Sequence, residues 1–154
     1  MHPDLKFLES LLPKMERNAY GILDWFDADR DGLVCVMSRS ADGRGAHSHA
    51  GMEFQPSFFW FNESKVDTSR ETVLERVDFT CYLFAALQAL ESAGVATGGL
   101  PAWIRDAVCS KMWDPERRFF YSVEPKSDRR ALVEESAGFF PHAFRLVPRE
   151  DRRY

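Results

Sequence analysis

The strongest constraint in the sequence is the stretch from residue 72 to 93. Its apolar side chains (Val73, Leu74, Val77, Phe79, Cys81, Leu83, Phe84, Leu87 and Leu90) would surround a helix on nearly every side. Such a helix has to be covered on more than one face, so this segment demands a core built around it. Just upstream, Thr68-Ser69-Arg70-Glu71 has the form of a capping box, a hydroxyl followed three residues later by a carboxylate, and predicts a helix start there. Gly94 suits the left-handed position beyond the end. Asp78 falls early in the run, where a carboxylate is costly unless paired or hydrogen-bonded. It either braces neighbouring loops or binds a ligand hydroxyl.

A chain of 154 residues is long enough for one such core, which makes residues 1–154 a single domain. With 45% hydrophobic and 29% charged residues it is an ordinary globular composition, not a disordered one. The net charge of −4 offers no basic face for a polyanion, so nucleic acid is not expected as a partner. The longest charge-free hydrophobic stretch, 79–90, falls short of the ~18–20 residues of a bilayer helix, and no export signal is visible at the start. Cys35, Cys81 and Cys109 are odd in number, far apart and in no CxxC spacing, which argues against disulfides or zinc and for a cytoplasmic setting without membrane contact.

Around the central helix, residues 5–26 show a helical stripe of Leu8, Leu11, Leu12, Met15, Ala19, Ile22, Leu23 and Phe26. Pro13 predicts either a kink or two helices meeting near Leu12. Residues 27–70 keep no period, are punctuated by Gly32, Gly43, Gly45 and Gly51, and carry Phe54, Phe58, Phe59, Trp60 and Phe61. This is a long loop region or a set of short strands, too aromatic for disorder. Pro101 suits the first position of another helix that runs to Trp113 and stops at Asp114-Pro115. Residues 119–123 follow as a short extended segment after a turn, and 136–147 is aromatic and too short to assign. The fold class expected is all-α, with four or five helices, a long aromatic loop and a short hairpin-like segment.

Four groups of residues bear on chemistry. Asp27-Ala28-Asp29-Arg30-Asp31-Gly32 matches the opening of a calcium loop, in which alternating carboxylates converge on a hard cation. Position 12 of that loop is Ser38, not a bidentate glutamate. The turn is therefore either a solvated acidic close to the first helix or a calcium site of Asp27, Asp29 and Asp31 completed by a distant carboxylate. His47-Ser48-His49 has no further ligand nearby and reads as a polar loop pair that could touch a ligand. Glu53 lies between glycine and aromatics, surroundings that raise a carboxyl pKa and suit a general acid, although a loop glutamate is often simply solvated. Trp60 and Phe61 offer π surfaces on which the C–H-rich faces of sugars pack.

Taken in order, the acidic turn with Leu33, then Gly51-Met52-Glu53-Phe54-Gln55-Pro56-Ser57-Phe58, Val77-Asp78 opening a buried helix, Met112-Trp113-Asp114-Pro115 with Phe119-Phe120-Tyr121, and Gly138-Phe139-Phe140-Pro141 form a pattern. Over roughly residues 13–147 it resembles the (α/α)6-barrel glycoside hydrolases, the group of trehalases, processing α-glucosidases and mannosylglycerate hydrolases. The resemblance implies a toroid of about twelve helices, of which this chain supplies four or five, the remainder belonging to a longer parent chain. It also implies inverting hydrolysis of an oligosaccharide or small glycoside, with Glu53 as general acid, the general base outside this chain, and no required cofactor. Glu53 replaces the family's commoner aspartate, and Phe79-Thr80 replace a leucine-asparagine pair. In this reading His49, Trp60, Phe61 and Asp78 line the sugar pocket. The alternatives are a sugar isomerase or epimerase on the same toroid, with His47 or His49 as base, and a non-catalytic carbohydrate-binding scaffold.

Overall fold

The computed structural model describes residues 5–27, 29–38, 72–151 and 153–154. Helix α1 spans Leu5–Phe26 and leads through the acidic turn into strand β1, Cys35–Ser38. Strand β2, Thr72–Glu75, pairs antiparallel with β1, and helix α2, Val77–Ser92, follows one residue later. Helix α3, Leu100–Ala107, runs on into a wide turn at Val108–Met112. A two-residue hairpin comes next, β3 at Trp113–Asp114 against β4 at Phe119–Phe120, and a tight turn at Ser136–Phe139 opens the short helix α4, Phe140–Ala143. Among the described residues helices dominate and strands are few, in keeping with an all-α class. None of these helices is long and apolar enough to cross a membrane.

As its composition demands, α2 is the covered helix. Val77, Cys81, Leu83, Phe84, Leu87 and Leu90 are buried in one cluster with Leu33 and Val34, Ile104 and Val108 of the α3 segment, Phe120, Val123 and Leu146. Leu12, Ile22 and Leu23 of α1 pack against this cluster from outside. The end of α2 matches its sequence, with Gly94 at φ +87° and its N–H donating to the Glu91 carbonyl.

The start of α2 does not match. Residues 72–75 are a strand, not the first turn of a helix, and Arg76 in an extended conformation (φ −95°, ψ 130°) is the N-cap. The β-branched pair Thr72 and Val73 lies opposite Ser38 and Met37, so backbone pairing with β1 replaces the local cap. The capping-box residues Thr68 to Glu71 lie outside the described residues. Nor does Pro13 divide the first helix, which is continuous from Leu5 to Phe26. Pro13 is exposed, so solvent can satisfy the carbonyl one turn before it that the ring leaves without an N–H partner. Pro101 stands one residue later than expected, behind Leu100. The 101–113 helix also ends early, because Trp113 and Asp114 pair with Phe120 and Phe119.

Gly138 is fixed by proximity. A Cβ there would overlap the Phe119 ring and stand 2.6 Å from the Phe120 carbonyl oxygen. Gly138→Ala should therefore cost about 2–3 kcal/mol in urea unfolding. Gly21→Ala, in α1 with nothing within 4 Å, should add about 1 kcal/mol.

Candidate functional site

The described polar groups gather where β2 hands over to α2. Glu75 is paired on both sides: it lies opposite Cys35 of β1, and its N–H donates to the Val123 carbonyl (2.9 Å) while its own carbonyl accepts from Val123 N–H (3.1 Å). Arg76 N–H donates to the Val34 carbonyl (2.8 Å), and the Thr80 hydroxyl accepts from Val34 N–H (2.9 Å). Three chain segments are thus locked around residues 75–80.

Inside this lock, Arg76 and Asp78 form a fully buried ion pair. The Arg76 Nε is 3.2 Å from Asp78 Oδ1 and Nη2 is 3.3 Å from Oδ2, while Nη1 lies 3.3 Å from Glu135 Oε1. Asp78 also sits in the first turn of α2, where the helix dipole favours negative charge. Of its two expected roles, bracing is the one this geometry displays. Losing one partner of a buried pair strands the other charge, so Asp78→Ala should cost about 3–5 kcal/mol. A double-mutant cycle with Arg76→Ala in chemical denaturation should give a coupling of at least about 1 kcal/mol, and a near-neutral single substitution would contradict the brace.

The acidic turn is compact. Oxygens of Asp27, Asp29 and Asp31 lie within 4.8 Å of one another. Asp27 accepts from the N–H groups of Asp31 (2.9 Å) and Gly32 (3.1 Å), and Asp31 from that of Leu33 (2.9 Å). Desolvation raises the Asp27 pKa, opposed by those two backbone donors. Gly32 takes φ +90° with the Trp103 ring 3.4 Å from where a Cβ would stand, which leaves glycine as the residue that fits. The turn thus closes α1 with its own side chains.

A second acidic group adjoins it. Asp31, Glu75 and Asp128 each place an oxygen within 4.8 Å of the others. The Lys111 ammonium bridges two of them, 2.6 Å from Asp31 and 3.0 Å from Asp128. Burial pulls the Lys111 pKa down, but the bonds and charges of Asp31 and Asp128 outweigh it and hold the group above an ordinary lysine. Both Glu75 carboxyl oxygens are buried without a hydrogen-bond partner among the described residues. Burial first, then the charges of Asp31 and Asp29, push its pKa up to about 8. The folded state therefore keeps the Glu75 proton to about pH 8 and the unfolded chain only to about 4.5. A raised folded value stabilises fully below the unfolded pKa and is lost as pH rises through the folded one. In chelating buffer, stability should fall between about pH 4.5 and 8 by on the order of a few kcal/mol from this group. Glu75→Gln should flatten that part of a pH-dependent melting curve.

No thiol here is a ready nucleophile. Cys35, Cys81 and Cys109 are free, and burial raises all three, Cys35 to about 12. The groove between α1 and α2, about 360 Å³, is lined by Ile22, Phe26, Val34 and Phe79 with few polar groups. Asn18 and Tyr82 supply the polar side chains of that otherwise apolar lining.

A family model described as the mannosylglycerate hydrolase MGH1-like glycoside hydrolase domain matches residues 1–154. The chain belongs to this glycoside hydrolase family. No curated protein and no solved structure matches it. Of the residues singled out in this glycoside hydrolase domain, Asp27, Asp29, Asp31 and Asp78 are placed, whereas His47, His49, Glu53, Trp60 and Phe61 lie outside the described residues. The structure adds Glu75, Arg76, Lys111, Asp128 and Glu135. The available signal for the first two was Glu75-Arg76 wedged between Leu74 and Val77, two charges within a run that had to be buried. For the other three there was none: Asp128 and Glu135 lie in ordinary charged stretches, and Lys111 stands alone between Ser110 and Met112.

Proposed function

We propose that this glycoside hydrolase domain carries the general acid, Glu53, of an inverting enzyme, within part of an (α/α)6 toroid whose other helices and general base belong to a longer polypeptide. In this reading Glu53 protonates the glycosidic oxygen as the C–O bond breaks, while the base takes a proton from water attacking the opposite face of the sugar. The two carboxyl groups would stand about 6.5–9.5 Å apart to admit that water. His49, Trp60 and Phe61 supply walls and hydroxyl contacts for an oligosaccharide or small glycoside of the glucosidase or trehalase type, while Asp78, buried against Arg76, braces the fold beneath them.

One observation supports placing the chemistry on residues 39–71. Ser38 and Thr72 are directly paired, so that segment leaves and returns at one neck, immediately before the buried Arg76–Asp78 pair. Catalytic side chains are commonly presented from between two such rigidly held ends.

The test uses a polypeptide containing the whole barrel. Glu53→Gln should lower kcat/KM on unactivated glycosides by about 10²–10⁴-fold and spare activated aryl glycosides, whose leaving groups need little protonation. Proton NMR of the first-formed anomer should show inversion. Unchanged hydrolysis of the natural linkage would remove Glu53 from the mechanism, and a retained configuration would remove the inverting reading.

A further inference from the structure

We propose that Phe139, with Arg117 and Glu134 beside it, forms a binding platform for a neutral hexose unit, at the end of α2 from which residues 39–71 depart. The proposal deepens the glycosidase reading, on which it rests for the class of ligand, and concerns residues to which that reading gives no role.

Outside α1, Phe139 is the most exposed aromatic side chain among the described residues, at 61%. Its ring meets that of Phe119 edge to face, with 5.2 Å between centroids, and most of it stays in water. Phe119 in turn contacts Tyr121, centroids 5.1 Å apart. The Tyr121 hydroxyl donates to Glu134 Oε1 (3.2 Å), and Arg117 Nη1 lies 4.0 Å from the same oxygen. Rings and ionised groups thus form one continuous row, in which Arg117 and Glu134 are 52% and 63% exposed and keep polar atoms open to solvent.

Such a row has the composition that suits a pyranose. The C–H-rich face of the sugar packs on a π surface, while a guanidinium fork and a carboxylate bond its hydroxyls. The charges of Arg117 and Glu134 cancel, which favours a neutral sugar, and Glu134 repels an acidic one. The fold gains little from these groups, because an exposed ion pair at 4.0 Å contributes little and a ring left in water buries little area.

The backbone nevertheless holds them in place. Asp114 Oδ1 accepts from the N–H groups of Glu116 (2.9 Å) and Arg117 (3.0 Å). Gly138, pressed against the Phe119 ring, fixes the chain beside Phe139. Glu135 meets Arg76 Nη1 at 3.3 Å, and Val123 pairs with Glu75. These two contacts dock residues 113–139 on the start of α2, close to the Ser38–Thr72 neck. Groups fixed in advance lose little freedom when a ligand binds.

The test is titration of the full chain with trehalose, a neutral disaccharide, followed by heteronuclear NMR. The wild type should bind with a millimolar Kd, with shifts concentrated at residues 117–121 and 134–139. Phe139→Leu keeps the apolar bulk but loses the π face, and should weaken binding about three- to tenfold. Arg117→Gln should weaken it by a similar factor, about three- to tenfold, so the proposal stays testable if one variant fails to fold. Phe139→Trp should retain binding. Trp25→Ala removes the more exposed aromatic of α1, 83% in solvent, and should leave binding unchanged. Glucose should bind at least as well as glucuronate. Absence of trehalose binding, unchanged affinity in both Phe139→Leu and Arg117→Gln, binding lost in Trp25→Ala, or a preference for glucuronate would each overturn the platform. Binding is read without turnover, so hydrolysis unaffected by Glu53→Gln would remove the acid and leave the platform standing.

Discussion

The guanidinium of Arg76 is the largest side chain fully buried in the described protein, and the surrounding architecture is arranged to make its burial tolerable. An isolated guanidinium taken out of water would cost many kcal/mol, so Asp78 and Glu135 stand against it. Asp78 reaches it because the chain turns from strand to helix at Arg76, which brings residues two apart in sequence side to side. Glu135 reaches it from just before the turn that opens α4, so a single ion cluster ties the entry of α2 to the C-terminal part of the chain. Replacing such a cluster with apolar groups is often neutral for stability, which suggests that its value lies in register. It fixes where the strand stops and the helix begins.

The preceding residue serves a different cluster. Glu75 faces Asp31, Asp128 and the influence of Lys111, and in contrast to Arg76 its charge is not matched by a hydrogen-bonded partner among the described residues. Two adjacent charged residues in the interior thus have opposite solutions: one is neutralised by ion pairing, the other held towards its protonated form. The contrast follows from neighbours supplied by distant segments. Asp31 comes from the turn after α1, Lys111 from the wide turn after α3, and Asp128 from the loop beyond the hairpin.

Much of the helical framework was legible from local signals. The all-round apolar run around Leu83 and Leu87 could only be a covered helix, Gly94 marked its end, and the segment after the Pro115 turn was correctly extended. The acidic turn was legible as a close to α1, because Asp27 can bond N–H groups four and five residues ahead without help from elsewhere. The start of α2 was misread for the opposite reason. Strand pairing between residues 35–38 and 72–75 joins segments over thirty residues apart, and no local cap signal reports it. Pro13 was overread, since a proline on an exposed helix face leaves a carbonyl that water can satisfy.

The sequence by itself determined membership of a glycoside hydrolase family, the helical class and the need for Asp78 to be paired, because these rest on order of motifs, local periodicity and the cost of burying charge. Tertiary structure decided which partners answered that need. The choice of Arg76 and Glu135 for Asp78's cluster, and the gathering of Asp31, Glu75, Lys111 and Asp128, depend on contacts between segments tens of residues apart. Electrostatic energy falls steeply with distance and depends on local solvation, so a charge pattern along the chain carries little information until folding sets both.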